Sequence, residues 1–332
     1  MFSKTGRLIE YRRGICVNFV SFCSSQISKL RRTRSKRISS RGLTSRTPGW
    51  LQAWSCDYKA ATTCGQTHSG RAEMNNPTYA LVTGASQGLG RVFARELAAR
   101  KQNMILVARS RDKLEKLANE LRSSQSVLAE ILEFDLTSPS AGPRLVQQLH
   151  DRNLQVGLLV NNAGFGVRGD FRTLTLHRQM EMLRLNNGAV VELTYSLLPS
   201  LMKHPQAGII NVSSAAGFQP IPYASLYAAT KSFLTSFSLG LQEELRSSRV
   251  SVVTLCPGRI LAEGHNGEAK NGNRKFGFVY QLPEDVVRDA LQSLANGGGL
   301  VIPGFVNKLS VFAQRLIPRR AVPALVARMS RQ

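Results

Sequence analysis

Ser214, Tyr227 and Lys231 bring a hydroxyl, a phenol and an ammonium into one short stretch, GIINVSSAAGFQPIPYASLYAATKSFLTS. The serine stands where an apolar run, Ile209 to Val212, ends, thirteen residues before the tyrosine. Tyr227 and Lys231 are four apart in a segment that reads as helix from about Ala224, so both lie on one face. A free phenol titrates near ~10 and is a poor acid or base at neutral pH. A lysine cation beside it favours the phenolate and is expected to lower that value. A serine hydroxyl could then hold a substrate oxygen in line with the phenol. Together they make a device for moving a proton to or from an oxygen. Tyr-x-x-x-Lys alone is common in ordinary helices, so the case rests on the elements around it.

Those elements alternate. Tyr79 to Val82 reads as a strand, followed by Thr83-Gly84-Ala85-Ser86-Gln87-Gly88-Leu89-Gly90 and a helix from Arg91 to about Lys101. Glycines between a strand and a helix let the backbone approach a pyrophosphate at the helix N-terminus. A second strand, Asn103 to Ala108, ends in Arg109-Ser110, 25 residues after Gly84. An acid there would hold a ribose 2′-hydroxyl; a basic residue suits a 2′-phosphate, so NADP(H) is expected over NAD(H). A helix over 114–121, a strand Val127 to Phe134 closed by Asp135-Leu136, and a helix Pro139 to Asp151 follow. A strand Val156 to Val160 ends in Asn161-Asn162-Ala163-Gly164, the kind of polar, glycine-containing end where open α/β sheets bind ligands. One long helix, Leu174 to Lys203, carries Asn186 in its middle; asparagine is a poor interior helix residue and implies either solvation or an inward polar task. After the Ser/Tyr/Lys stretch come a strand Val250 to Leu255, the turn Cys256-Pro257-Gly258, and a Gly- and Asn-rich stretch over 259–282 with Phe276, Phe278 and Tyr280, read as a mobile lid. A helix Glu284 to Ala295 and a possible strand Leu300 to Ile302 complete the pattern. The alternation predicts a single doubly wound parallel sheet.

The chain has 332 residues, 42% of them hydrophobic, and a net charge of +23. Residues 1–73 carry fourteen Lys and Arg against three acids, a net +11, with a Ser/Arg-rich run around Arg31 to Arg41. Four of the five cysteines lie there without the spacing of a zinc site, and the apolar patch Ile15 to Cys23 is too short to span a bilayer. This extension is expected to be disordered. It reads as an organelle leader, a basic nucleic-acid arm, or sequence upstream of a start at Met74; the last is preferred because MNNPTYALVTGAS opens directly on a strand and a glycine turn. Cys256 reads as a buried structural thiol, and with no disulfide framework a reducing compartment fits. The expected location is cytoplasmic, with organelle targeting through residues 1–73 as the alternative.

These motifs together resemble the short-chain dehydrogenase/reductase family over about residues 75–303, and within it the bacterial-type ketoreductases of uncertain substrate, with a looser likeness to long-chain 3-oxoacyl-CoA and steroid reductases. The resemblance implies a Rossmann-type sheet of about seven strands. It implies reversible carbonyl–alcohol interconversion with NAD(P)(H). Asn186, Ser214, Tyr227 and Lys231 match the family's catalytic tetrad. Gly84, Ser86, Gln87, Gly88, Leu89, Gly90, Arg109, Ser110, Asp135, Leu136, Asn162, Ala163, Gly164, Pro257 and Gly258 fall at its cofactor positions, with Tyr227 and Lys231 shared between the two sets. Asp135 would lie beside the adenine, and Asn186 would hold a water linking Lys231 to solvent. Ala262 departs from the family, which usually has a threonine there against the nicotinamide amide. No metal is expected.

The organisation read from sequence is therefore a basic extension 1–73, a catalytic domain 74–303 and a tail 304–332. The competing function is a cofactor-binding regulator or scaffold that keeps the fold without turnover, against which an intact tetrad argues. No nucleic-acid motif is present in the globular part, so no specific nucleic acid is expected. A small carbonyl or alcohol substrate is expected, with a hydrophobic or acyl one as the narrower reading, and a homo-oligomer is expected. Residues 305–332 have six cations and no acid and read as two short amphipathic helices broken at Pro318. Their apolar faces must be covered, by the enzyme's own surface or a second subunit as the plainer reading, or by an anionic membrane.

Overall fold

The computed structural model describes residues 77–261, 280–314, 316–318 and 320–330. Its main sheet is built from β1 (Thr78–Thr83), β2 (Asn103–Ala108), β3 (Ala129–Glu133), β4 (Gln155–Asn161), β5 (Ala207–Val212), β6 (Val250–Leu255) and β9 (Gly298–Val301). Their order is β3-β2-β1-β4-β5-β6-β9, and every pairing is parallel. Parallel strands buried on both faces read as continuous apolar runs, and β5 is buried along its whole length.

Period-two alternation divides each strand between two cores. Ala80 and Val82, Met104 and Leu106, Ile210 and Val212, and Val253 and Leu255 face one side. There they meet α1 (Gly88–Ala99), α2 (Arg111–Gln125) and α7 (Pro283–Ala295). Tyr79 and Leu81, Ile105 and Val107, Leu159, Ile209 and Val252 face the other, against α3 (Ala141–Asp151), α5 (Ala189–Leu201) and α6 (Ser225–Glu244). The chain order reverses between β1 and β4, which opens a crevice beyond the carboxyl ends of those strands.

Four differences from the sequence expectation have physical causes. First, α1 starts at Gly88 rather than Arg91, because Gln87 is extended and the glycine turn itself forms the first helical turn. Second, the long helix is α4 (Leu176–Leu183), a π-turn over Arg184–Gly188, and α5. Third, β9 begins at Gly298, hidden in a glycine triplet: a Cβ at Gly298 would overlap the Val252 carbonyl of the neighbouring strand. Fourth, a two-strand parallel ribbon, β7 (Arg259–Ile260) with β8 (Tyr280–Gln281), brackets the segment expected to be loop. The lid reading, with Phe276 and Phe278, and the Ala262 position fall outside the described residues.

The tail forms α8 (Phe305–Gln314) and α9 (Val322–Ser330), as its pattern suggested. At the opposite end of the main sheet, Arg122 and Arg152 donate to the Ala129 and Ile131 carbonyls of β3, its outermost strand on that side. Two surface concavities of about 400 Å³ lie on this flank and at the amino ends of the strands, lined by residues such as Arg152 and His204; neither includes the Ser/Tyr/Lys cluster.

Candidate active site

The glycine turn supplies the floor of the crevice. Gly84 and Gly88 have φ of 64° and 56°, a region that side chains disfavour. A Cβ at Gly90 would overlap the Gly84 carbonyl, so α1 enters closer to β1 than any other residue would allow. Thr83 braces this arrangement: its Oγ1 donates to the Val160 carbonyl at 3.2 Å and accepts from the Asn162 and Ala163 amides at 2.9 and 3.0 Å. Asn162 returns the contact, its Nδ2 donating to the Thr83 carbonyl at 2.8 Å. The result is a close-approach cradle at a helix N-terminus, which fits a pyrophosphate.

Thr83 stands directly before the glycine turn in the sequence, but its bracing role depends on contacts with β4 that only the fold brings together. We expect Thr83→Val, which keeps the shape, to leave the Ala163 amide without an acceptor and the Asn162 amide with only the Val160 carbonyl, and to destabilise the fold by about 1–3 kcal/mol. Urea melts read this directly. A change below about 1 kcal/mol would show that these groups find other partners.

The side of the crevice toward β2 and β3 is exposed. Arg109 follows β2 and lies 65% exposed, 3.6 Å from Glu181 of α4, which is held more closely by Arg178 at 2.6 Å. Such a surface pair is worth little and gives way readily to a stronger anion. Ser110 precedes α2 in an extended conformation and makes no side-chain capping bond. Asp135, beyond β3, is exposed and accepts from the Thr137 amide and hydroxyl, both at 2.9 Å, while Leu136 is buried. These residues line the carboxyl ends of β2 and β3, apart from the Tyr/Lys pair.

The reactive groups meet beyond β5 and β6. Ser214 opens a short 3₁₀ turn, Ala215–Phe218, that lies against α6; a Cβ at Gly217 would collide with the Lys231 backbone. The Ser214 hydroxyl accepts from the Ala216 amide at 3.1 Å and reaches the Pro257 carbonyl at 3.5 Å. The Ser214 hydroxyl lies on the Tyr227 phenol's side and favours its ionised form, and the Tyr227 ring packs on Gly166, where a Cβ would come within 3.0 Å of Cδ2. Lys231 is buried; its ammonium donates to the Val212 carbonyl at 2.9 Å and sits 6.0 Å from the Tyr227 ring centroid.

Electrostatics correct one expectation. Burial pushes the Tyr227 phenol up, and the Ser214 hydroxyl, not the lysine, opposes that rise. Burial likewise lowers Lys231 from 10.5 to about 8. The same burial raises the Cys256 thiol, which is fully enclosed beside Thr235, as expected of a structural cysteine.

Asn186 has an inward polar task. It is 1% exposed within the π-turn; its Nδ2 donates to the Phe165 carbonyl at 3.0 Å and to Thr230 Oγ1 at 3.1 Å, and its Oδ1 accepts from the Phe165 amide at 3.1 Å. The π-turn's extra residue lets this side chain reach across to α6. Only one lone pair of Oδ1 is left for the water expected there. Gly164 separates Asn186 from Lys231: a Cβ on it would lie 2.9 Å from Oδ1 and 3.7 Å from Nζ. Pro257 and Gly258 close the far wall, with the Gly258 amide donating to Gln281 at 3.0 Å.

Behind the site lies a network not anticipated from sequence. Asn161 donates to Asn211 at 2.9 Å, Asn211 to Ser238 at 2.8 Å, and Ser213 to the Lys231 carbonyl at 2.8 Å. Buried polar residues inside apolar strands are a readable signal for such a brace, but their pairing is not. Among the described residues no cluster of side chains could hold a metal ion.

Comparison with known proteins follows the same lines. The family model described as short chain dehydrogenase matches residues 78–272. Ketoacyl reductase HetN of Nostoc sp. is 30% identical over 216 residues, 65% of this chain and 75% of that protein. Very-long-chain 3-oxoacyl-CoA reductase of Bos taurus is 32% identical over 183 residues, 54% of this chain; the match spans 58% of the bovine protein's length. Among solved structures, a short-chain dehydrogenase from Sphingobium yanoikuyae in complex with NADPH superposes with a TM-score of 0.61 at 29% identity, covering 73% of this chain and 95% of that one.

Proposed function

Because the chain belongs to the short chain dehydrogenase family, we propose that it interconverts a carbonyl and a secondary alcohol with NADP(H), using Ser214, Tyr227 and Lys231. The observation that carries this reading is that the Ser214 hydroxyl, the Tyr227 phenol and, one turn further along the same helix, the buried Lys231 ammonium come together beside the glycine turn. Bound in that cradle, a nicotinamide cofactor supplies or accepts the hydride.

In the reductive direction Tyr227 donates its proton to the substrate oxygen as that oxygen gains charge. Ser214 donates to the same oxygen and fixes its position. With a pKa of about 8, Lys231 can take up and release a proton near neutrality, which suits a relay. Asn186 locks the Phe165 peptide and Thr230 around this pair. The relatives' names support an acyl or otherwise apolar carbonyl as substrate.

The test is NADPH oxidation by the full chain with a panel of aldehydes, ketones and 3-oxoacyl thioesters. Turnover on at least one class is expected. Tight NADPH binding with no turnover on any would favour a regulator or scaffold of the same fold.

Arg109 and the uncapped Ser110 support the choice of NADP(H). Arg109→Asp is expected to shift the NADPH-to-NADH preference by about tenfold or more, since a charge-assisted phosphate contact contributes about 1.5–3 kcal/mol. Equal kcat/KM with both cofactors in the unaltered enzyme would contradict the assignment.

A further inference from the structure

The tail helix α8 carries its apolar stripe on the outside. Phe305, Leu309 and Phe312 follow one another at i, i+4 and i+7, so they share a face. They are 78, 54 and 59% exposed, and Leu316, one further step along the stripe, is 74% exposed. The helix touches the protein through Val311, which is buried, and through Asn307, which lies against Gly258 and donates to the Pro303 carbonyl. The described part of the enzyme therefore leaves the stripe open.

Charge decides what covers it. Residues 305–332 contain six Lys and Arg and neither Asp nor Glu; of these, Lys308, Arg320 and Arg328 are described and exposed. In a two-fold interface a second copy would present the same all-positive surface to itself. An anionic lipid surface instead satisfies both features, taking the rings and leucines into the acyl boundary and the cations among the headgroups. Ten residues of helix are about 15 Å long, and among the described residues no helix is long and apolar enough to cross a membrane.

We propose that α8 docks this enzyme on the surface of an anionic membrane, lying in the plane of the interface. The position gives the docking a consequence. α8 packs against the Ala215–Phe218 turn that follows Ser214, and its Asn307 meets Gly258 on the far wall of the site. The membrane-facing stripe thus sits at the rim of the crevice, where an apolar substrate leaving the bilayer would enter. Docking does not depend on the proposed chemistry and is read without it.

The experiment is co-sedimentation of the full chain with phosphatidylcholine vesicles, with and without phosphatidylserine, at low and high salt. The unaltered protein is expected to bind the anionic vesicles and to release in salt. Combined Phe305→Ser, Leu309→Ser and Phe312→Ser is expected to weaken binding about tenfold or more, with an unchanged melting curve because the residues are exposed. Lys308→Glu with Arg320→Glu is a second route to the same loss without touching the stripe. Absence of anionic binding would overturn the proposal. So would binding that survives both sets of substitutions, which would place it in the basic residues 1–73. Dissociation of an oligomer by the serine substitutions, without any vesicle binding, would assign the stripe to an interface between copies.

Discussion

Tyr227→Phe is expected to lower kcat by about 10²- to 10⁴-fold, the range for removal of a positioned general acid, while cofactor affinity stays within about twofold. The split follows from geometry. The ring packs on Gly166 and needs no hydroxyl to do so, whereas the hydroxyl is the group whose ionisation Ser214 favours. Phenylalanine keeps the wall and removes only the proton. Stopped-flow turnover and NADPH titration by fluorescence measure the two quantities separately. Activity within about tenfold of the unaltered enzyme, about 1.4 kcal/mol of barrier, would remove Tyr227 from the acid role.

Lys231→Met is expected to abolish turnover as well, and to leave a second signature in stability. Burial lowers the folded-state pKa of Lys231 from 10.5 to about 8. Below pH 8 the lysine is protonated in both states, and its burial as a cation costs about 3 kcal/mol, the shift converted at 1.36 kcal/mol per unit. Between about pH 8 and 10.5 the unfolded chain holds the proton and the native protein does not, so stability rises with pH through that window. The cost is fully present below pH 8 and removed as pH approaches 10.5. Methionine has no charge to bury and loses this slope. Urea melts at pH 7 and pH 9.5 should therefore show the unaltered enzyme gaining on the variant by about 2 kcal/mol. Parallel pH curves would mean that Lys231 is not charged and desolvated in the native protein.

Much of this was legible because the relevant signals are local. Strand ends, the glycine turn and the Tyr-x-x-x-Lys helix each declare themselves within a dozen residues, and β2 and β6 have the limits their apolar runs implied. Asn186 stood out because its residue type disagreed with its surroundings. The reason for the disagreement, a π-turn aiming the amide at Phe165 and Thr230, is a backbone geometry that composition does not encode. Strand β9 was blurred because Gly298 serves close packing against β6 rather than strand propensity. The Tyr227 pKa was misread from sequence because spacing gives proximity but not desolvation, and desolvation is the larger effect. The outward stripe of α8 shows the same limit: periodicity reveals that a face exists, and only tertiary structure says which way it points.

Arg122 and Arg152 have a consequence beyond the native fold. β3 is the outermost strand on its side, and the carbonyls of Ala129 and Ile131, two residues apart, are the groups a foreign strand would need in order to add to the sheet. Each already holds a guanidinium from a neighbouring helix or its end. An incoming strand would have to displace two arginines and bring its own apolar side chains past their charges. That flank is therefore protected against edge-to-edge polymerisation, a hazard that grows with local concentration wherever proteins crowd together.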